Sequence, residues 1–291
     1  MQGLVTEHDF SRAGNADSPT GKLAPADRLN VFFRTFANGA PPLLLLDYDG
    51  TLAPFRKDRT KARPWSGVSE ILQAIQQQGS TRMVVITGRP AEEIAPLLGL
   101  EHIEVWGLHG AEHLYPDGRK ELEDFPESTR QKLSQLRTQL HQDSFGGLFE
   151  DKANGAVMHW RGATAEKAEQ IREETMALFA PLAGSDGLAL LEFEAGVELR
   201  AGRDKGGAVQ EILQQSAPET PVAFLGDDFT DESAFQAVNT RAKNGLSILV
   251  RMENRKTTAQ LWLRPPGGLK AFLKSWQTAC APPLERTGSR E

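Results

Sequence analysis

The stretch Pro41–Phe55, PPLLLLDYDGTLAPF, constrains the fold more than any other. Four consecutive leucines are apolar on both faces, the pattern of a short strand buried on both sides in a parallel sheet. They run directly into Asp47-Tyr48-Asp49-Gly50-Thr51, where acidic residues and a glycine mark a tight loop. In an open α/β sheet, chemistry collects just past the carboxyl ends of the strands. Asp47 and Asp49, two residues apart at such an end, can face one reaction centre.

The segments that follow repeat the theme. Pro25–Phe36 has apolar Leu29, Phe32, Phe33 and Phe36 at helical spacing, and Pro64–Gln78 does the same with Val68, Ile71, Leu72 and Ile75 before Gly79 stops it. Arg82–Gly88 reads as a strand ending in Thr87-Gly88-Arg89-Pro90, followed by a helix over Ala91–Leu98, and Ile103–Leu108 as a third strand. This β-α-β-α-β order predicts an α/β fold with a doubly wound parallel sheet. The rhythm then changes. Thr129–Leu140 and Thr164–Phe179 read as helices, the second capped by Thr164. Between and after them come two hairpins: Gly147–Asp151 with Ala156–Arg161 around Asn154-Gly155, and Leu188–Phe193 with Val197–Arg200 around Ala195-Gly196. Helix, hairpin, helix, hairpin is an α+β unit, so an inserted domain is expected at 115–202, between core segments 23–114 and 203–291. The parallel rhythm returns with a helix over Asp204–Gln214, a strand at Val222–Leu225 ending in Gly226-Asp227-Asp228, a helix over Thr230–Val238 and a strand at Ser247–Val250. Helices over Thr257–Leu263 and Leu269–Trp276 are expected to close the chain. Residues 1–22 are polar and read as a disordered leader without a secretory core.

Composition narrows the partners. The 291 residues carry a net charge of −6, so no global basic surface invites nucleic acid or an anionic membrane. Arg56–Arg63 holds five basic residues in eight positions, but it is short and reads as a loop, not a nucleic-acid site. One cysteine, Cys280, allows neither an internal disulfide nor a thiolate metal site, which fits a reducing, cytoplasmic setting. No apolar run approaches membrane-spanning length.

If the sheet closes as expected, Asp47, Asp49, Thr87, Lys205, Asp227, Asp228, Asp231 and Glu232 gather near the strand ends. So many carboxylates cannot all stay ionised in one small volume without a cation. An all-oxygen set without a His/Cys cluster favours Mg²⁺. An exposed carboxylate beside it can attack phosphorus, while backbone N–H groups near Gly50, the Thr87 hydroxyl and the Lys205 ammonium can hold phosphoryl oxygens. Taken singly, each residue also has a plain structural role. Asp and Gly are turn formers, Thr87 and Asp227-Asp228 can cap helices, and Asp231 can be purely structural. His109 reads as a packed, hydrogen-bonded neighbour of the site in preference to a metal ligand. The tryptophans at 65, 106, 160 and 262 read as packing, with Trp160 alone placed near a lid.

The order of these motifs resembles the haloacid dehalogenase-like (HAD) phosphohydrolase superfamily: Asp47-Tyr48-Asp49-Gly50-Thr51-Leu52 as its first motif, Thr87 its second, Lys205 its third and Gly226-Asp227-Asp228 its fourth. A finer resemblance is to the trehalose-6-phosphate phosphatases. It rests on Ile86-Thr87-Gly88-Arg89, Gly107–Glu112, Glu150-Asp151-Lys152 with His159-Trp160-Arg161, Val197-Glu198-Leu199-Arg200 before Asp204-Lys205-Gly206, and Gly226–Glu232, across about Pro42 to Phe272. It implies a Rossmann-like core with a type-2 cap, and Mg²⁺-dependent hydrolysis of trehalose 6-phosphate in trehalose biosynthesis. It implies Asp47 as nucleophile, Asp49 as acid–base, and Thr87 and Lys205 on the phosphoryl oxygens. The metal would be held by Asp47, the Asp49 carbonyl and Asp227, supported by Asp228 or Asp231. Substrate contacts are expected from Gly50, Thr51, Gly88, Arg89 and His109 in the core and from Glu150, Lys152, His159, Arg161 and Glu198 in the cap. A monomer is expected, linked in function to a separate trehalose-6-phosphate synthase. The rival expectations are a phosphatase or phosphomutase for another sugar phosphate, and a non-catalytic sugar-phosphate sensor.

Overall fold

The four leucines lie in the middle of a nine-stranded sheet, none of them more than 1% exposed. A computed structural model describes residues 10–11, 24–56, 58–142, 148–193 and 196–281. In chain order these form β1 (Phe10–Ser11), α1 (Pro25–Arg34), β2 (Leu43–Leu46), α2 (Val68–Gln78), β3 (Arg82–Ile86), α3 (Ile94–Leu98), β4 (Glu104–Gly107), β5 (Glu112–Leu114) and β6 (Lys120–Leu122). Next come α4 (Glu127–Gln142), β7 (Phe149–Lys152), β8 (Gly155–His159), α5 (Ala165–Phe179), β9 (Leu188–Phe193) and β10 (Gly196–Ala201). The chain ends with α6 (Lys205–Gln214), β11 (Pro221–Gly226), α7 (Glu232–Arg241), β12 (Asn244–Val250), β13 (Leu261–Leu263) and α8 (Gly267–Ala279).

The large sheet has the order β1-β13-β12-β11-β2-β3-β4-β5-β6. Its inner strands, β13 to β4, are parallel, and both margins are antiparallel. From β2 the chain moves outward through β3 and β4, then returns on the other side through β11. The strand order therefore reverses between β2 and β11, where an open α/β sheet leaves its crevice. Successive β2 side chains feed opposite cores. Leu44 and Leu46 pack with α1, α2, α3 and α8, while Leu43 and Leu45 pack with α6 and α7. Trp276 of α8 is fully buried against Phe32, Phe33, Phe36 and Phe272, tying the first and last helices together.

A smaller antiparallel sheet, β7-β8-β10-β9, carries α4 and α5 over its own core of Leu133, Leu136, Ile171, Phe179, Val197 and Leu199. Thr164 caps α5 by accepting from the Lys167 amide, as its position suggests. Trp160 packs against this core, so its place is on the small domain and its role there is packing.

Several boundaries differ from the sequence reading. Leu261–Leu263, expected within a helix, is strand β13, because Leu-Trp-Leu alternates and pairs with β12 along Ile248–Val250. Lys120–Leu122 falls inside the segment assigned to the insert, yet it pairs with β5 on the large sheet. Phe10–Ser11, within the segment read as a disordered leader, pairs with Leu263 and Trp262. The rest of that leader, Gly147 and Ala195 lie outside the described residues. Helix α2 begins at Val68 and not at Pro64, after a left-handed Gly67.

At the β4 edge, Glu104 is buried. Burial alone would raise its pKa, but His113 and a forked Arg82 contact (2.9 and 2.8 Å) hold it down at about 2. A depressed carboxylate gives stability that is present above the unfolded value near 4.5 and is lost as pH falls through 2. The shift corresponds to about 3 kcal/mol. Urea unfolding should show Glu104→Gln less stable than wild type at pH 6, with the gap narrowing between pH 5 and 2. A gap that does not change with pH would contradict this account.

Candidate active site

The acidic cluster is assembled where β2 and β11 end side by side. The Asp47 amide donates to the Leu225 carbonyl at 2.8 Å, so the loop after β2 stays anchored to its neighbour for one more residue. The loop then turns sharply. Leu52 and Ala53 amides return to the Tyr48 carbonyl, and the Tyr48 hydroxyl reaches the Ala62 carbonyl at 2.6 Å. Gly50 sits at φ +86°, and a Cβ there would lie 2.0 Å from Asp227 Oδ2. Only glycine permits both this backbone and so close an approach of the two acidic loops.

Asp47 is 3% exposed. Its Oδ1 accepts from Lys205 Nζ at 2.6 Å and its Oδ2 from the Thr51 hydroxyl at 3.1 Å. Lys205 is the first residue of α6, placed by the Asp204 cap, whose carboxylate accepts from the Gly207 amide. Its ammonium also donates to Asp231 Oδ1 at 2.7 Å. Asp231 Oδ2 accepts from the Asp227 and Asp228 amides at 2.9 and 3.0 Å. Asp231 therefore has both oxygens engaged and acts as a strut beneath the loop. Asp228 caps the next turn by accepting from the Phe229 amide. Glu232, grouped with the strand-end acids in sequence, turns away to Arg255, Thr257 and Thr258.

The electrostatics follow from this packing. Burial pushes the Asp47 carboxyl up to about 7 although the Lys205 ammonium opposes it. Burial, with Asp47 and Asp231 nearby, drives Asp227 well above the usual carboxylate range. Lys205, despite burial, is held firmly protonated by Asp231 and Asp47. Oxygens of Asp47, Asp227 and Asp231 all lie within 4.8 Å of one another. Three buried carboxylates clustered against the one Lys205 ammonium fit a hard divalent cation. Asp231 takes three donors, Lys205 and the Asp227 and Asp228 amides, against two on Asp47, so Asp47 and Asp227 are the better-placed ligands.

Asp49 projects beside Asp47 and is clasped by Arg89, Nε to Oδ2 at 2.6 Å and Nη2 to Oδ1 at 2.7 Å. Thr87 and Gly88 border the same crevice, with the Thr87 hydroxyl accepting from the Arg89 amide. A Cβ on Gly88 would strike the His109 ring at 2.5 Å. His109 is buried and kept neutral, its pKa lowered to about 3 by burial and by Arg200. Its Nε2 faces Glu198 at 3.2 Å. It is thus a hydrogen-bonding wall of the crevice and lies outside the acidic cluster.

Opposite stands the small sheet. Glu150 and Lys152, two apart on β7, face the same side, and Lys152 Nζ meets Glu198 Oε1 of β10 at 3.0 Å. His159 Nε2 meets Glu150 Oε2 at 2.8 Å, and Arg161 reaches the Arg56 carbonyl at 3.4 Å. A cleft of about 510 Å³ lies between these walls, lined by Asp47, Asp49, Thr87, Gly88, Arg89, His109, Glu150, Lys152, His159, Arg161, Glu198, Lys205, Asp227 and Asp228. Gly50 and Thr51 do not line it; they lie beneath, shaping the loop and holding Asp47. Sequence reasoning passed over Phe55, Arg59, Phe149 and Phe193, which also line it. The charge run at Arg56–Arg63 was the available signal for Arg59. The phenylalanines carried none beyond their hydrophobicity.

Comparison with known proteins bears on what such a cleft does. The trehalose-phosphatase family model matches residues 45–265. A trehalose-phosphate phosphatase of Mycobacterium marinum is 30% identical over 245 residues, 79% of this chain and 60% of the relative. The bifunctional trehalose-6-phosphate synthase/phosphatase of Thermoproteus tenax is 34% identical over 242 residues, 82% of this chain and 32% of the relative. The chain thus spans about 60% of the length of the mycobacterial relative. Among solved structures, the C-terminal domain of Candida albicans trehalose-6-phosphate phosphatase superposes with a TM-score of 0.71 at 20% identity, covering 92% of this chain and 99% of that one. Phosphatases of the HAD superfamily share the fold more distantly, with a TM-score of 0.54 for one from Bacteroides thetaiotaomicron.

Because Gly50 leaves room for Asp227, Gly50→Ala should push that carboxylate aside and weaken the binding of a divalent cation at the acidic cluster, tested with Mg²⁺, about 10–100-fold. Calorimetric titration checks this; an unchanged affinity would remove Asp227 from the cation site.

Proposed function

The chain belongs to the trehalose-phosphatase family, and from that premise we propose that it hydrolyses trehalose 6-phosphate to trehalose and inorganic phosphate. The observation that carries the reading is the placement of Asp47. It stands at the sheet's reversal point with one oxygen on Lys205 and the other on Thr51, facing a polar wall across a disaccharide-sized cleft. Asp47 attacks phosphorus in line, the bond from phosphorus to the sugar 6-oxygen breaks, and an aspartyl-phosphate results. Asp49, beside it, gives its proton to the departing oxygen and then takes one from the water that cleaves the aspartyl-phosphate. Lys205 and the Thr87 hydroxyl hold the equatorial oxygens. Arg89, now on Asp49, is also within the cleft and can share its guanidinium with the phosphoryl group.

Mg²⁺ suits the acidic cluster; Asp47, the Asp49 carbonyl and Asp227 would hold it, with Asp228 in support. When bound, it supplies positive charge that keeps the carboxylates ionised and offsets charge on the phosphoryl oxygens. The opposing wall reads the sugar. Glu150, Lys152, His159, Arg161 and Glu198 offer donors and acceptors of both signs to hydroxyls, with His109 completing the wall from the core. The chemistry fits a soluble sugar phosphate. No described helix is long and apolar enough to cross a membrane. The bifunctional relative joins a synthase to its phosphatase, which supports a functional link between this protein and a synthase.

Phosphate release from trehalose, glucose, sucrose and mannose 6-phosphates, with Mg²⁺ and with EDTA, tests the reading. Trehalose 6-phosphate should be preferred and EDTA should abolish turnover. Asp47→Asn should abolish release, and Asp49→Asn should slow it by about 10²–10⁴-fold. Glu150→Ala should hurt trehalose 6-phosphate far more than p-nitrophenyl phosphate. Broad, unselective release would defeat the sugar assignment. Transfer of the phosphoryl group between sugar positions without release would replace hydrolysis with a mutase.

A further inference from the structure

The basic loop between β2 and α2 plays no part in the reading above, yet it touches both walls of the cleft. Arg59 lies in a helical turn at Arg59–Lys61, placed by Asp58, whose carboxylate accepts from the Thr60 amide. One of its guanidinium nitrogens pairs with Glu150 of the cap wall. The other forks onto both oxygens of Glu93, at 3.0 and 3.1 Å. Glu93 Oε2 in turn accepts from Arg89 at 3.2 Å, and Arg89 clasps Asp49 with its remaining nitrogens. Charges alternate along this chain: Asp49, Arg89, Glu93, Arg59, Glu150. It starts at the reaction centre and ends on the sugar-facing side of β7. The same loop meets the cap a second time, where Arg161 lies over the Phe55 ring at 5.3 Å and reaches the Arg56 carbonyl.

We infer that Arg59 is a positioning residue that couples the sugar-reading Glu150 to the acid–base Asp49 through Glu93 and Arg89; this rests on the phosphatase reading above. Each guanidinium in the chain is shared between two carboxylates, which its planar fork allows and a single ammonium does not reproduce. A substrate hydroxyl that draws Glu150 away from Arg59 leaves Arg59 to tighten on Glu93. That contact competes with Arg89 for the Glu93 carboxylate and so changes how firmly Arg89 holds Asp49. Linked hydrogen bonds of this kind respond as a unit. The Arg59 and Glu93 side chains are 37% and 38% exposed, against 5% for Arg89. Solvent screens the outer contacts, so their contribution is orientation more than stability.

The test compares wild type with Arg59→Ala, Arg59→Lys, Glu93→Gln and the Arg59→Ala/Glu93→Gln double variant. Each is assayed with p-nitrophenyl phosphate and with the best-hydrolysed member of the sugar-phosphate panel. p-Nitrophenolate leaves without needing a proton and carries no sugar, so it reports a folded core and the Asp47 step. In Arg59→Ala, kcat/KM for the sugar phosphate should fall about tenfold further than that for p-nitrophenyl phosphate. Arg59→Lys should recover only part of the loss, and the double variant should lose less than the product of the single losses. Losses that multiply, or that fall equally on both substrates, would overturn the coupling. Because the panel selects its own substrate, poor turnover of trehalose 6-phosphate alone would overturn the functional reading and leave the coupling standing. Hydrolysis of no sugar phosphate would overturn both.

Discussion

The Lys205 ammonium, buried between Asp47 and Asp231, is the interaction on which the rest of the site depends. Three carboxylates crowd one small volume, and an unpaired buried charge is among the costliest features a fold can carry. Lys205 offsets part of that charge and also ties together three separate pieces of chain. Asp47 comes from the end of β2, Asp231 from the turn before α7, and Lys205 from the start of α6, just after the chain returns from the small sheet. Gly206 permits this: a Cβ there would meet the Ser233 backbone at 2.7 Å, so α6 and α7 are in close contact at the lysine. Asp231 passes the constraint on through the Asp227 and Asp228 amides. The acidic loop after β11 is thereby fixed by one lysine 158 residues from Asp47 in sequence.

The small sheet shares this economy without sharing the core. It has its own apolar cluster, and to the cleft it presents Glu150, Lys152, His159, Arg161 and Glu198 interleaved with Phe149, Val157 and Phe193. Glu198, almost fully buried, is held well below the usual carboxylate range: burial opposes ionisation, but Lys152 and His109 outweigh it. Contacts of this sort are directional and exchangeable for substrate hydroxyls, whereas an apolar interface would have to be exposed to open. Two cores joined across a seam rich in charged groups would suit the proposed reaction, in which the cleft admits a sugar phosphate and excludes water around the phosphoryl group.

What was legible in the sequence followed from local grammar. Asp47-Tyr48-Asp49 after the leucine run, Thr87-Gly88-Arg89 and Gly226-Asp227-Asp228 each end a buried strand, and each brings residues to the cleft because the ends of parallel strands lie on one edge. The pairing of Glu150 with Lys152 was readable from the two-residue repeat of a strand. Less legible were weak edges. β5, β6 and β13 are three residues each, too short for periodicity to separate strand from helix or loop, and their pairing is decided by neighbours elsewhere in the chain. The role of Asp231 was half legible: the sequence singled it out as the acid of its group with the best claim to a purely structural part, and the geometry shows what that part is, a strut between Lys205 and the Asp227 and Asp228 amides.

Arg59 shows where reading by composition stops. A short run of basic residues looks the same whether it is solvated or paired, since the distinction lies in acids that the run does not contain. Here those acids sit 34 and 91 residues further on, one before α3 and one on β7. Neither pattern announces a partner. Glu93 looks like an ordinary acid at the start of a helix, and Glu150 like one charge on a polar sheet face. What joins them is the fold, which brings the loop after β2 beside the turn before α3 and against β7 of the small sheet. The same closure that places Asp47 and Lys205 together thus places an arginine between the two halves of the cleft. A residue of this kind is found from the charges it bridges, not from the segment that carries it.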